Sequence, residues 1–321
     1  MVWGNHQDRR KITNWQDATG ANGVQLTQKE LLYYRSKTFL LDLSPSIRSK
    51  STLFGNYIGF TKGRGMEFDE VRHYQPGDDV RAIDWRVTAR TGKTHTKLFR
   101  EEKERPLVLL CDLSPSMYFG SQLALKSVQM AHLAALIAWK AKDRGDKIGA
   151  LLFNQHTHHE LKPQSRQRGV LSLIHHLEIM HANAIPNGEV TVSQVRLEDA
   201  LHRMRRIAKP GSDIFLLSDF RDLSENAIKH ISWISRHCQL TAYIITDPME
   251  HQLPASNSAT QLNATDGQQT VRIDLHSKKQ HQEYASRAAL HWQQVLHRLK
   301  KYQVRCIPIS AAEPLDKQLN P

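Results

Sequence analysis

Residues 107–116 read Leu-Val-Leu-Leu-Cys-Asp-Leu-Ser-Pro-Ser, so an apolar run stops at Asp112 and the hydroxyls of Ser114 and Ser116 follow at two-residue spacing. A carboxylate and two hydroxyls delivered by one strand end form a cradle for a hard divalent cation, because such ions take oxygen ligands. Further along, Asp213-Ile-Phe-Leu-Leu-Ser-Asp219 repeats the design, an apolar run that closes on a hydroxyl and a carboxylate. In open parallel sheets, ligands collect outside the carboxyl ends of the strands where strand order reverses. Asp112 and Asp219 are placed for that crevice.

The elements that must position these residues alternate. Strands rich in branched apolar residues are expected over 107–112, 148–154, 214–219, 241–246 and 304–309, and helices over 122–142, 168–180, 197–207, 224–236 and 282–302. This alternation is the signature of an α/β layer architecture. The first of these helices is apolar on nearly every face, around Leu125, Val128, Leu133, Leu136 and Ile137, which predicts burial. Gly145 stands where a helix C-terminus needs it. Residues 251–275 hold Asp266-Gly267 between alternating segments and predict a hairpin. Before the α/β region, 52–97 carry glycines at 55, 59, 63 and 65, the turn pair Pro76-Gly77 and dense charge, which suit short strands and turns. The expected organisation is an N-terminal arm and helix over 1–50, a small β-rich element over 51–105, the α/β domain over 106–310 and a flexible tail over 311–321. Within the first part, 1–27 are expected to be a mobile arm, 31–43 a short helix and 44–51 a loop.

A chain of 321 residues can bury a large core without disulfide or metal staples. The three cysteines, Cys111, Cys238 and Cys306, lack paired spacing and are read as small buried hydrophobes in a reducing cytoplasm. The richest apolar stretch, 131–141, carries Lys140 and falls short of the ~18 residues that span a bilayer. The first ten residues lack the apolar core of a signal peptide, so a soluble, unprocessed cytoplasmic protein is expected. Lysine and arginine outnumber acidic residues 44 to 32, with the excess concentrated over 203–209 and 278–301. Such a surplus favours acidic surfaces, whether protein, nucleic acid or membrane face.

The run Asp112-Leu-Ser114-Pro-Ser116, with Ser218-Asp219 ending a later strand, resembles the metal-ion-dependent adhesion site of von Willebrand factor A domains. The strings Gly63-Arg-Gly-Met-Glu67-Phe and Arg72-His-Tyr-Gln-Pro-Gly-Asp-Asp79-Val-Arg-Ala-Ile-Asp84-Trp85 are similar to the signature of the bacterial domain-of-unknown-function-58 family, which joins such a segment to an A-like domain. The resemblance runs from about 51 to 154 and continues more thinly to about 310. It implies a von Willebrand factor A-like, Rossmann-like fold: a mostly parallel central sheet flanked by helices. It also implies partnership with MoxR-type AAA+ ATPases and other A-domain proteins in a chaperone-like or assembly role. In A domains an aspartate, two serines, a threonine from another loop and a later aspartate surround Mg²⁺, leaving one position for a partner's carboxylate. Asp112, Ser114, Ser116 and Asp219 carry over as metal ligands. The threonine does not: Val195 occupies its slot, so the cation loses a ligand or borrows Ser193 or Thr191 after a loop shift.

Other candidates have plainer readings. Asp78, Asp79 and Asp84 with arginines 64, 72, 81, 86 and 90 could form a partner surface, but ion pairs and turn hydrogen bonds that brace the small element are preferred, with Trp85 as a core anchor. His156, His158, His159, His175 and His176 lack zinc-type spacing and are expected to face solvent. An enzyme would use Asp112 as a phosphoryl-accepting nucleophile, yet such enzymes place a second acid two residues on, where this chain has Ser114. No phosphate loop or dinucleotide turn compensates, so no catalytic residue is assigned. A nucleic-acid reading has charge in its favour but no aromatic platform or helix-in-groove module.

Overall fold

A computed structural model describes residues 6–43, 66–101, 106–184, 195–254, 261–265 and 270–319. Two compact units are present, one comprising 1–45 and 105–321 and the other 46–104.

The larger unit is built on a six-stranded sheet in the order β10-β7-β6-β3-β4-β5. Its strands are β3 (Pro106–Leu113), β4 (Lys147–Asn154), β5 (His158–Ser165), β6 (Asp213–Ser218), β7 (Gln239–Thr246) and β10 (Arg305–Ser310). All pairs are parallel except β4 with the edge strand β5. β3 and β6 lie at the centre with almost every residue buried, as continuous apolar runs in a two-sided sheet must be. From β3 the chain moves to β4 on one side and later to β6, β7 and β10 on the other, so strand order reverses between β3 and β6.

Alternate residues of β3 enter two cores. Leu107, Leu109 and Cys111 pack with α4 (Lys126–Arg144) and α5 (Arg166–Ala184), whereas Val108 and Leu110 pack with α6 (Leu197–Ile207), α7 (Glu225–Ser235) and α9 (Lys278–Lys300). α4 is buried along nearly its whole length and ends at Gly145 in the left-handed region (φ +91°), the conformation that lets the chain reverse directly into β4. A short helix α8 (Pro248–His251) follows β7, and β8 (Gln261–Thr265) pairs with β9 (Thr270–Asp274) as an antiparallel hairpin whose expected Asp266-Gly267 turn lies outside the described residues.

Several expectations are corrected. The N-terminal stretch is a helix, α1 (His6–Thr19), and its Trp15 joins the core with Ala21 and Leu26; three apolar anchors in a polar segment are too sparse to show a period. The expected 31–43 helix begins earlier and is broken: α2 (Gln28–Tyr33), started by a capping box of Thr27 and Glu30, passes into two 3-10 turns. Of the expected 311–321 tail, the described residues 311–319 are anchored, since Leu315 in α10 (Leu315–Gln318) is 1% exposed and the Gln318 amide bonds the Ser310 carbonyl. β5 was not expected, because its mixed sequence lacks the apolar alternation of a half-buried strand. Of the cysteines, only Cys111 is buried.

The smaller unit is described over 66–101. β1 (Met66–His73) and β2 (His95–Glu101) pair antiparallel, and α3 (Trp85–Thr91) lies in their connection. Asp79 accepts from the Arg81 amide, Asp84 accepts from the Arg86 and Val87 amides, and Arg72 pairs with Asp78 at 2.7 Å. Trp85 is 67% exposed rather than a core anchor: it opens a seven-residue helix, and the buried apolar residue here is Ile83, two positions before it. The glycines at 55, 59, 63 and 65, Arg64 and the 44–51 loop lie outside the described residues.

Candidate functional site

Asp112 is the penultimate residue of β3, and Asp219 follows the last residue of β6, so both carboxylates stand at the carboxyl ends of neighbouring strands on the two sides of the reversal point. Together with Ser114, Ser116, Val195, Arg196, Arg221 and Asp222 they line a cavity of about 350 Å³. All four residues assigned from the sequence therefore meet at one place. Val195 lines the same cavity and contributes no side-chain oxygen, while Thr191 and Ser193 lie outside the described residues.

Local hydrogen bonds orient the set. Asp112 accepts from the Ser114 amide at 2.9 Å through Oδ1 and from the Ser218 hydroxyl at 2.5 Å through Oδ2. Ser218 Oγ in turn accepts from the Phe220 amide at 2.9 Å, and Phe220 holds a left-handed conformation (φ +52°) although fully buried. A bulky residue adopts that conformation only where the surroundings impose it. Here the turn lets Asp219 accept from the Arg221 amide at 3.0 Å. Ser114 Oγ and Ser116 Oγ lie 3.3 Å apart.

A buried lysine that is not among the expected site residues pairs with Asp219. Lys126, the first residue of α4, is fully buried, with Nζ 2.8 Å from Asp219 Oδ2 and 2.7 Å from Glu250 Oε1. Glu250 belongs to the capping box of α8, where it accepts from the Asp247 amide at 3.0 Å. A lysine in a helix otherwise apolar on all sides was the available sequence signal, because such a residue is rarely buried unless paired. Nothing near Lys126 in sequence identifies Asp219 or Glu250 as its partners.

The electrostatics follow from burial and charge count. Burial, and then the negative charge of Asp219, push the Asp112 carboxyl up to about 6. Burial would also raise Asp219, but the Lys126 charge and hydrogen bond, aided by the Arg221 amide, outweigh it and hold that group below the usual carboxylate range. Lys126 loses by burial and regains more from Asp219 and Glu250, so its pKa is raised. Lys126 bonds Asp219 and Glu250 but not Asp112, and the formal charges of Asp112, Asp219, Asp222 and Glu250 exceed those of Lys126, Arg196 and Arg221 by one. The donors are all oxygens, and Mg²⁺ commonly needs only one or two carboxylates because it keeps several waters. The residues present fit a hard divalent cation. Among the described residues no cluster of three or more His, Cys, Asp or Glu is placed to hold a metal ion, so a cation here would rest on two carboxylates, the serine hydroxyls and water. His159 stacks on His176 with ring centroids 4.2 Å apart, and His156, His159 and His175 are exposed.

No helix among the described residues is long and apolar enough to cross a membrane. Uncharacterized proteins of Mycobacterium tuberculosis and Mycobacterium bovis are each 28% identical over 215 residues, 67% of this chain and 65% of theirs, so the match spans just under two thirds of the relatives' length. Among solved structures, the conserved hypothetical protein BatB of Bacteroides thetaiotaomicron (TM-score 0.41, 13% identity) covers 67% of this chain and 93% of its own. An aerotolerance-related membrane protein of Bacteroides fragilis (TM-score 0.40, 16% identity) covers 67% and 96%. Residues 70–294 match the family described as protein of unknown function DUF58, and the chain belongs to that family.

Proposed function

We propose that the protein is a non-enzymatic, cytoplasmic interaction or assembly factor that captures an acidic side chain of a partner in the Asp112–Asp219 pocket. The observation that carries this reading is the convergence of Asp112, Ser114, Ser116 and Asp219 on one cavity at the sheet's reversal point. The four side chains would hold Mg²⁺ or a similar ion as a degenerate metal-ion-dependent adhesion site on a von Willebrand factor A-like domain. When bound, a hard cation with an open position supplies Lewis acidity that a carboxylate oxygen can satisfy. The chain's own residues do the rest. Ser114 and Ser218 fix the Asp112 carboxylate, Lys126 fixes Asp219, and the exposed Arg196 and Arg221 at the cavity wall favour an anionic visitor.

By the family resemblance, the partner is a MoxR-type AAA+ ATPase, with other A-domain proteins as further associates. A non-catalytic role is supported by Asp112 itself: both oxygens already accept hydrogen bonds, and residue 114 is a serine rather than an acid. The test is equilibrium binding of the full chain to a purified MoxR-type AAA+ ATPase. Chelator is expected to weaken the complex, and Asp112→Ala to abolish its ion dependence with the circular dichroism unchanged. Affinity that ignores both chelator and substitution defeats the reading.

A further inference from the structure

We infer that Lys126 sets how strongly the pocket holds a divalent cation, and that Glu250, which does not line the cavity, acts on the ion through it. This rests on the ion-binding reading above and adds a specific regulator of that site. The ammonium of Lys126 is fully buried and bonds one oxygen of Asp219 and one of Glu250. A cation reaching Asp219 therefore meets a carboxylate already engaged by a fixed positive charge, in surroundings where water screens little. Lys126 occupies part of the charge deficit that would otherwise attract the ion. Its bond to Asp219 also helps to hold that carboxylate in position.

Glu250 opposes this effect. Its Oε1 lies 2.7 Å from Nζ and shares the ammonium, while its Oε2 is held by the Asp247 amide in the α8 capping box. Asp247 extends the connection, because its carboxylate accepts from the Ser121 amide and hydroxyl at 2.8 and 2.6 Å in the segment that leads into α4. The two residues therefore act on ion affinity with opposite signs. That is what separates a charge-setting role from a simple strut, whose loss would displace Asp219 and weaken binding in either variant.

The experiment titrates the full chain with Mn²⁺ alone and follows the loss of the free-ion electron paramagnetic resonance signal. Relative to the wild type, Lys126→Met is expected to bind at least about tenfold tighter and Glu250→Gln several-fold weaker. Because Lys126→Met leaves two carboxylates without their cation and could fail to fold, the double variant Lys126→Met/Glu250→Gln removes one charge of each sign. It is expected to bind more tightly than Glu250→Gln alone. Both variants weakening the site, or neither altering it, would overturn the inference while leaving ion binding by the wild type intact. A wild type that binds no ion beside a Lys126→Met variant that does would uphold the inference and remove the resident ion from the proposed function. No binding by any of the four proteins would remove both.

Discussion

Two buried ionisable residues make opposite contributions to stability. Asp112 has its pKa raised from 3.8 to about 6, first by burial and then by Asp219. A raised carboxyl pKa means that the folded state holds the proton more firmly, so the stabilisation is complete below 3.8 and is lost as pH rises through about 6. In the absence of divalent ion, Asp112→Asn is therefore expected to melt at a higher temperature than the wild type at pH 7.5 and to lose any stabilisation by Mg²⁺. Differential scanning calorimetry with and without the ion checks both halves. His181 behaves conversely. Burial depresses it from 6.5 to about 4, its Nε2 meets Ser127 Oγ at 3.0 Å, and its Nδ1 has no hydrogen-bond partner among the described residues. Its contribution is present above 6.5 and is lost as pH falls through about 4. Removing Asp112's opposing term should therefore steepen the loss of melting temperature on acidification, and His181→Gln should flatten it. Parallel pH profiles for all three proteins would contradict the assignment.

The elements that hold the pocket were legible to different degrees for physical reasons. β3, β4, β6 and β7 announce themselves because a strand buried on both faces must be apolar throughout, and α6 was expected over the residues where it is found. The four oxygen-bearing side chains were legible because their spacing at strand ends is local. Lys126 was not, since its meaning lies in carboxylates 93 and 124 residues away. Residues 6–19 and 311–319 depart from expectation for a related reason: Trp15 and Leu315 are isolated apolar residues in polar segments, yet both join the core. Leu315 gives a direct check on the C-terminal element. Leu315→Ala is expected to cost about 2–5 kcal/mol in urea unfolding, as for other buried leucines, whereas the neighbouring Lys317→Ala should stay within about 0.5 kcal/mol. Equal, negligible effects would return 311–319 to the status of a loose tail.

For the whole molecule, basic residues outnumber acidic ones 44 to 32, and Arg196 and Arg221 share the pocket lining with Asp112, Asp219 and Asp222. That combination suits a partner that approaches through long-range attraction and then inserts one carboxylate. Binding to a glutamate-rich peptide in Mg²⁺ is expected to weaken as salt rises, and the Arg196→Glu/Arg221→Glu variant to weaken it further with a smaller salt slope. Tight binding of heterogeneous duplex DNA at physiological salt, with the steep slope of counterion release, would instead transfer the basic surface to a nucleic-acid role. Anomalous diffraction from crystals grown with Mn²⁺ and the same peptide tests the central claim most directly. The account predicts a manganese peak in direct contact with side-chain oxygens among Asp112, Ser114, Ser116 and Asp219, with a peptide carboxylate completing its coordination. Peptide bound elsewhere on the surface, with no metal peak between the ends of β3 and β6, would contradict it.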